Sequence, residues 1–135
     1  MNYQLNQIPE RTEKPRQKGL TMVMDKGLSL RQVEDFLELG SGYTDIVKLG
    51  WATSFVTPNL KDKLALYKSA GIPVYFGGTL FEAFVVRGQF DEYRRVLDQY
   101  GMEYAEVSDG SLEMEQDDKC GYIQTLAKQV TVLSE

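Results

Sequence analysis

Asp25, Lys48 and Glu106 are charged residues set in or at the end of short apolar runs, in TMVMD, DIVKL and YAEV. A charge in such a run is costly unless it is paired, solvated or metal-bound. Alternation along an extended strand puts Thr21, Val23 and Asp25 on one side, Ile46, Lys48 and Gly50 on one side, and Glu106 and Ser108 on one side. A single register would then bring Asp25, Lys48 and Glu106 together at one end of a sheet. Two readings follow: a ligand or metal site, or a buried ion-pair network that only holds the sheet. The convergence of all three at one sheet end favours the first.

Small and polar clusters follow the same runs. Gly77-Gly78-Thr79 precedes helical spacing, and backbone N–H groups at a helix start can hold an anion; a tight turn explains the cluster equally well. Ser108-Asp109-Gly110-Ser111 reads either as an Asx-type turn or as phosphate and metal contacts. Trp51 and Ser54, in GWATS, either wall a pocket or close a rim. The chain has no histidine, which removes Ser-His-Asp and Cys-His nucleophile systems, histidine bases and histidine metal ligands. Catalysis here must use carboxylates, lysines, hydroxyls or an oxygen-ligated metal.

The elements that position these groups repeat. The runs LTMVMDKG (20–27), DIVKLGW (45–51), IPVYFGGT (72–79), EYAEVSDG (103–110) and VTVLSE (130–135) alternate with helix-like spacers. That rhythm predicts β-α units feeding a parallel sheet, with ligand chemistry at the carboxyl ends of the strands. Strands are expected over 20–25, 45–49, 73–76, 103–107 and from near 130. Ser29 and Gln32 make a capping box for the first helix, which Gly40 and Gly42 end. Thr57-Pro58 is expected to start the second helix, with Leu60, Leu64 and Tyr67 on one face. Thr79 and Glu82 are expected to form a second capping box, with a break near Gly88 before Phe90, Tyr93, Leu97 and Tyr100 resume. That aromatic stripe reads as core packing rather than a base-stacking surface. The last helix is expected near 115–128, with Ile123, Leu126 and Ala127 facing the sheet.

With 135 residues, 42% of them apolar, the chain can bury one domain core, and its formal charge of −5 offers no basic stripe for nucleic acid. Cys120 alone makes no internal disulfide, and no apolar run reaches membrane-spanning length. A cytoplasmic location is expected. Residues 1–19 read as a polar arm: either solvated, or folded back through Arg11, Lys14 or Arg16 onto the domain or a ligand.

The segments KPRxxGxTxVxDKG, DIVKLGWATS, VYFGGTLFE, FDEY and AEVSDGS resemble, in the same order and with similar spacings, the phosphosulfolactate synthase family, over about residues 10–135. A plant heat-stress-associated group is similar to the same family. The resemblance implies a (β/α)8 barrel and a Mg²⁺-dependent addition of sulfite to phosphoenolpyruvate. The product would be (2R)-phospho-3-sulfolactate, on a route to coenzyme M or other sulfonates. It implies Asp25 and Glu106 as metal or metal-water partners and Lys48 as an electrostatic clamp on phosphate or carboxylate, the three forming the catalytic set. Lys26, Gly77, Gly78, Thr79 and Ser108 would contact substrate.

Such a barrel takes about 250 residues. In the family, a lysine-bearing segment beyond the fifth strand is thought to supply the catalytic acid, and later strands add basic residues for phosphate. The expectation is therefore an N-terminal half-barrel over 20–135, with five strands and four helices, carrying half of the site and inactive alone. Its open edges and inner face would be covered by a second copy or by the other half, or the half-barrel would stay marginally stable. Two alternatives compete: a non-catalytic barrel relative with a binding or heat-stress role, and a doubly wound domain for a phosphorylated small molecule, which predicts helices on both sheet faces.

Overall fold

The computed structural model describes residue 3 and residues 5–135; residues 1, 2 and 4 of the expected arm lie outside the described residues. Five parallel strands run β1 (Met22–Asp25), β2 (Ile46–Leu49), β3 (Val74–Phe76), β4 (Tyr104–Val107) and β5 (Thr131–Ser134). They lie side by side in chain order, β1-β2-β3-β4-β5. A doubly wound sheet needs a point where strand order reverses, and this order has none.

The register sorts the strand residues into two rows. Val23 pairs with Val47, Val47 with Val74, Leu49 with Phe76, Phe76 with Ala105, and Ala105 with Val132. This row enters a single core with Val33, Leu60, Tyr67, Leu80, Phe81, Tyr93, Leu97 and Leu126 from the helices. Helices therefore cover one face, as in a barrel wall. The other row, which includes Met24, Lys48, Tyr75, Glu106 and Leu133, lines the opposite face. The architecture is α/β, a partial (β/α)8 barrel.

Among the described residues six α-helices accompany the strands rather than four: α1 (Leu30–Gly40), α2 (Thr53–Val56), α3 (Leu60–Ser69), α4 (Gly78–Val85), α5 (Phe90–Tyr100) and α6 (Gln116–Leu126), with a 3-10 turn at Ser41–Tyr43. The break near Gly88 separates α4 from α5, with Gly88 at φ +66, where a side chain would be strained. The second helix does not start at Thr57-Pro58. A separate turn, α2, ends before Thr57, and Asn59 in the left-handed region leads into α3; asparagine tolerates that region better than most residues. The Ser29–Gln32 capping box forms in both directions, through Ser29 Oγ to Gln32 N–H and Gln32 Oε1 to Ser29 N–H.

The aromatic stripe packs inward. Phe81 meets Phe90, Tyr93 and Tyr122 edge to face, and Tyr100 meets Phe76. The arm folds back: Arg11 reaches Thr21 Oγ1 and Tyr43 O, Lys14 reaches Ser41 O and Thr44 O, and Arg16 pairs with Asp45 at 2.8 Å. These cations collect on carbonyls just past the end of α1, where positive charge is favoured.

Candidate functional site

The inner face of the sheet borders a cleft of about 570 Å³. Lys14, Pro15 and Arg16 of the arm lie along it near the strand starts; Lys48, Tyr75, Glu106 and Glu135 lie along it further up. Lys48 Nζ stands 2.7 Å from Glu106 Oε1, with both side chains nearly buried, and 3.1 Å from the exposed carboxylate of Glu135. Burial works against the Lys48 ammonium, but its hydrogen bonds to Glu106 and Glu135 outweigh that and raise its pKa above the usual lysine value. Lys48 is therefore a fixed positive charge at neutral pH, unsuited to act as a base, and its ammonium is already paired with two carboxylates. Burial and the neighbouring Glu106 charge push the Tyr75 hydroxyl up, so it stays protonated and can donate.

Glu106 Oε1 also accepts the Gly78 N–H at 2.9 Å. The expected anion seat at the start of α4 thus already holds a carboxylate. Close approach explains both glycines. A Cβ on Gly78 would lie 2.1 Å from Ser108 Oγ and 2.9 Å from Glu106 Oε1, and one on Gly77 would lie 2.8 Å from Lys48 Cε. The capping box expected from Thr79 and Glu82 does not form. Gly77 caps α4 without a side-chain bond, and Glu82 instead accepts hydrogen bonds from the Ser108 hydroxyl and the Ser111 N–H. Glu82 is buried, and among the described residues no lysine or arginine pairs with it. Asp109 is held by Lys119 at 2.9 Å. The loop after β4 is thereby fixed by internal bonds.

Asp25 does not join Lys48 and Glu106. In the register it pairs with Leu49, while Met24 pairs with Lys48, so Asp25 faces the helices. Its Oδ1 accepts from Gly27 N and Leu28 N, both at 2.8 Å; its Oδ2 accepts from Lys63 Nζ and Tyr67 hydroxyl, both at 3.0 Å. Sequence alternation sorts residues within a strand, but only the register between strands says which sets share a face. Four donors occupy the Asp25 carboxylate, so it does not fit a magnesium ligand. Among the described residues no group of three or more carboxylate or cysteine side chains gathers as a metal cage. Lys63 was legible as a lysine within the apolar stripe of α3, three residues after Leu60 and four before Tyr67.

Lys26 and Trp51 stand on the rim above β1 and β2, the ammonium 5.8 Å from the indole centroid. Trp51 and Ala52 take φ +57 and +54. Left-handed angles at two successive non-glycine residues cost of order 1 kcal/mol each.

The sequence model of the family described as "(2R)-phospho-3-sulfolactate synthase (ComA)" matches residues 9–135. The chain belongs to the phosphosulfolactate synthase family. It is 39% identical over 129 residues to the phosphosulfolactate synthase of Bacillus subtilis, covering 96% of this chain and 51% of that protein. It is 47% identical over 100 residues to that of Methanocaldococcus jannaschii, covering 73% and 40%. To that of Methanothermobacter thermautotrophicus it is 37% identical over 130 residues, covering 94% and 50%. The chain thus spans about half the length of the curated relatives it matches, in keeping with a partial barrel. No helix among the described residues is long and apolar enough to cross a membrane.

Proposed function

We propose that this chain is the β1–β5 part of a phosphosulfolactate synthase and that its share of the work is to hold the anionic substrate. The reaction read from the family is the addition of sulfite to phosphoenolpyruvate. The sulfur lone pair forms a bond to the terminal carbon, the C=C pair moves toward the substrate carboxylate, and the neighbouring carbon takes up a proton. Charge gathers on the carboxylate, and a preorganised cation beside it lowers the barrier. The observation that carries this reading is the Lys48–Glu106 pair at 2.7 Å on the concave face. Glu106 keeps Lys48 charged and aimed, and Tyr75 adds a protonated hydroxyl on the same face. Magnesium, where the full enzyme uses it, would neutralise the same developing charge. Asp25 is no ligand for it, and Glu106 is the acidic group this half of the site offers. The proton donor and further phosphate contacts come from outside these residues, so the chain alone is expected to be inactive.

The test is formation of phosphosulfolactate from phosphoenolpyruvate and sulfite with Mg²⁺, for this chain beside a version extended through three further βα units. Turnover in the extended version alone supports the reading. Its absence in both, with both folded, sinks the synthase assignment.

A further inference from the structure

Two buried carboxylates, Glu82 and Glu106, tie α4 and β4 to each other in opposite directions. Glu106, on β4, accepts the Gly78 N–H at the start of α4 at 2.9 Å. Glu82, one turn further along α4, reaches back past the end of β4. It accepts from the Ser108 hydroxyl and, at 3.0 Å, from the Ser111 N–H. Gly78 and Glu82 are four residues apart and so share a helix face. Ser108 and the Glu106 carboxylate both press on Gly78, and the Lys48 stem presses on Gly77, where an added Cβ would lie 2.8 Å from Lys48 Cε. Both members of the Lys48–Glu106 pair therefore rest on the start of α4.

That start has no hold of its own, because its cap, Gly77, makes no side-chain bond. The packing of Leu80 and Phe81 into the core is non-directional. Two hydrogen bonds to one carboxylate fix both distance and direction, and a buried polar network with every member bonded keeps a single geometry. We propose that Glu82 is a positioning residue: by tying α4 to Ser108 and Ser111, it keeps the Gly78 N–H where it aims the Glu106 carboxylate at Lys48. This rests on the reading of that pair under Proposed function and names the group that holds it in place. Among the described residues the cleft is lined by Glu106 but not by Glu82, so Glu82 reaches the pair only through α4 and the loop after β4.

The test is hydrogen exchange of the Lys48 ammonium at neutral pH, followed by NMR in the full chain with labelled lysine. Its signal is assigned by its loss in Lys48→Met, and far-UV circular dichroism checks folding. An ammonium held by carboxylates exchanges when the pair opens, so the rate reports that local opening. Glu82→Ala should speed exchange at Lys48 roughly tenfold, the worth of one hydrogen bond to a charged group. Glu82→Gln, which can keep both bonds, should stay near the parent. Ser29→Ala, which loses the α1 cap, is the control for a merely looser fold and should leave Lys48 unchanged. Should Glu82→Ala not fold, Ser108→Ala removes one of the two bonds and is read the same way. Parent-like exchange in Glu82→Ala, equal acceleration in Ser29→Ala, or Glu82→Gln as fast as Glu82→Ala overturns the positioning role. A parent whose Lys48 ammonium exchanges too fast to be seen overturns it as well, since no held pair would be there to position. Turnover in the extended version decides the synthase reading by itself, so the two fail separately.

Discussion

Lys63 and Asp25 meet 3.0 Å apart where neither side chain reaches water. The pair ties α3 to the end of β1 across the core, and Tyr67 adds a second bond from the same helix. Burial first, and then the Asp25 charge, raise the Tyr67 pKa, so its hydroxyl remains a donor. Removing one partner of a buried pair costs more than removing both. Lys63→Met should lower the unfolding free energy by about 3–5 kcal/mol, and adding Asp25→Asn should recover part of the loss. Urea denaturation measures both; a Lys63→Met variant within ~1 kcal/mol of the parent would show that Asp25 needs no counter-charge.

Gly78 has no room for a methyl group, since Ser108 Oγ and Cβ would lie 2.1 and 2.6 Å from it. Gly78→Ala should destabilise by about 1–3 kcal/mol through overpacking. Ser108→Gly clears the two nearest atoms, so the double variant should be less destabilised than the sum of the two single changes. Strict additivity in denaturation midpoints would contradict the contact.

Glu82 has two acceptor duties. The Ser111 N–H can only donate, whereas the Ser108 hydroxyl can donate or accept. Glu82→Gln can keep its oxygen on Ser111 and turn its amide nitrogen to Ser108, so it should cost less than ~1 kcal/mol. Glu82→Ala strands both groups and should cost about 1–3 kcal/mol. Thermal unfolding that ranks the two variants equally would argue against this pairing.

Asp45 gives the fold an acid limit. The Thr21 backbone N–H, and after it Arg16, hold its carboxyl below the ordinary 3.8, with burial pulling the other way. A depressed carboxyl stabilises the folded state above its unfolded pKa and loses that contribution as pH falls through the folded value. Asp45→Asn should therefore lower Tm at neutral pH, and the gap to the parent should close as pH drops below about 4. A gap that stays constant from neutral pH down to that range would assign the loss to packing instead of charge.

Much of the scaffold was legible because the first four strands are each followed by a small polar cluster and several helices end at glycines. The Ser29–Gln32 box, the stop at Gly88 and the apolar rows were read from local spacing, which local physics controls. Of the three residues that a single register would have gathered, Lys48 and Glu106 do meet. Asp25 was misplaced because alternation gives parity within a strand but no register between strands. Glu82 looked like a cap because three-residue spacing after Thr79 imitates one; its real partners stand 26 and 29 residues on. Thr57-Pro58 looked like a helix start because Asn59 tolerates the left-handed angle that delays it.

The strand order also bears on how the chain comes together. Every strand's earlier neighbour lies in the unit just before it, with partners such as Met22 and Ile46, or Phe76 and Ala105, fewer than thirty residues apart. Loop closure costs grow only slowly with length, so each pairing faces nearly the same entropic barrier and none waits on a distant segment. As the polypeptide leaves the ribosome, each new βα unit finds a finished edge to dock against. Until the next unit arrives, the newest strand is the one whose free edge can mispair with another molecule.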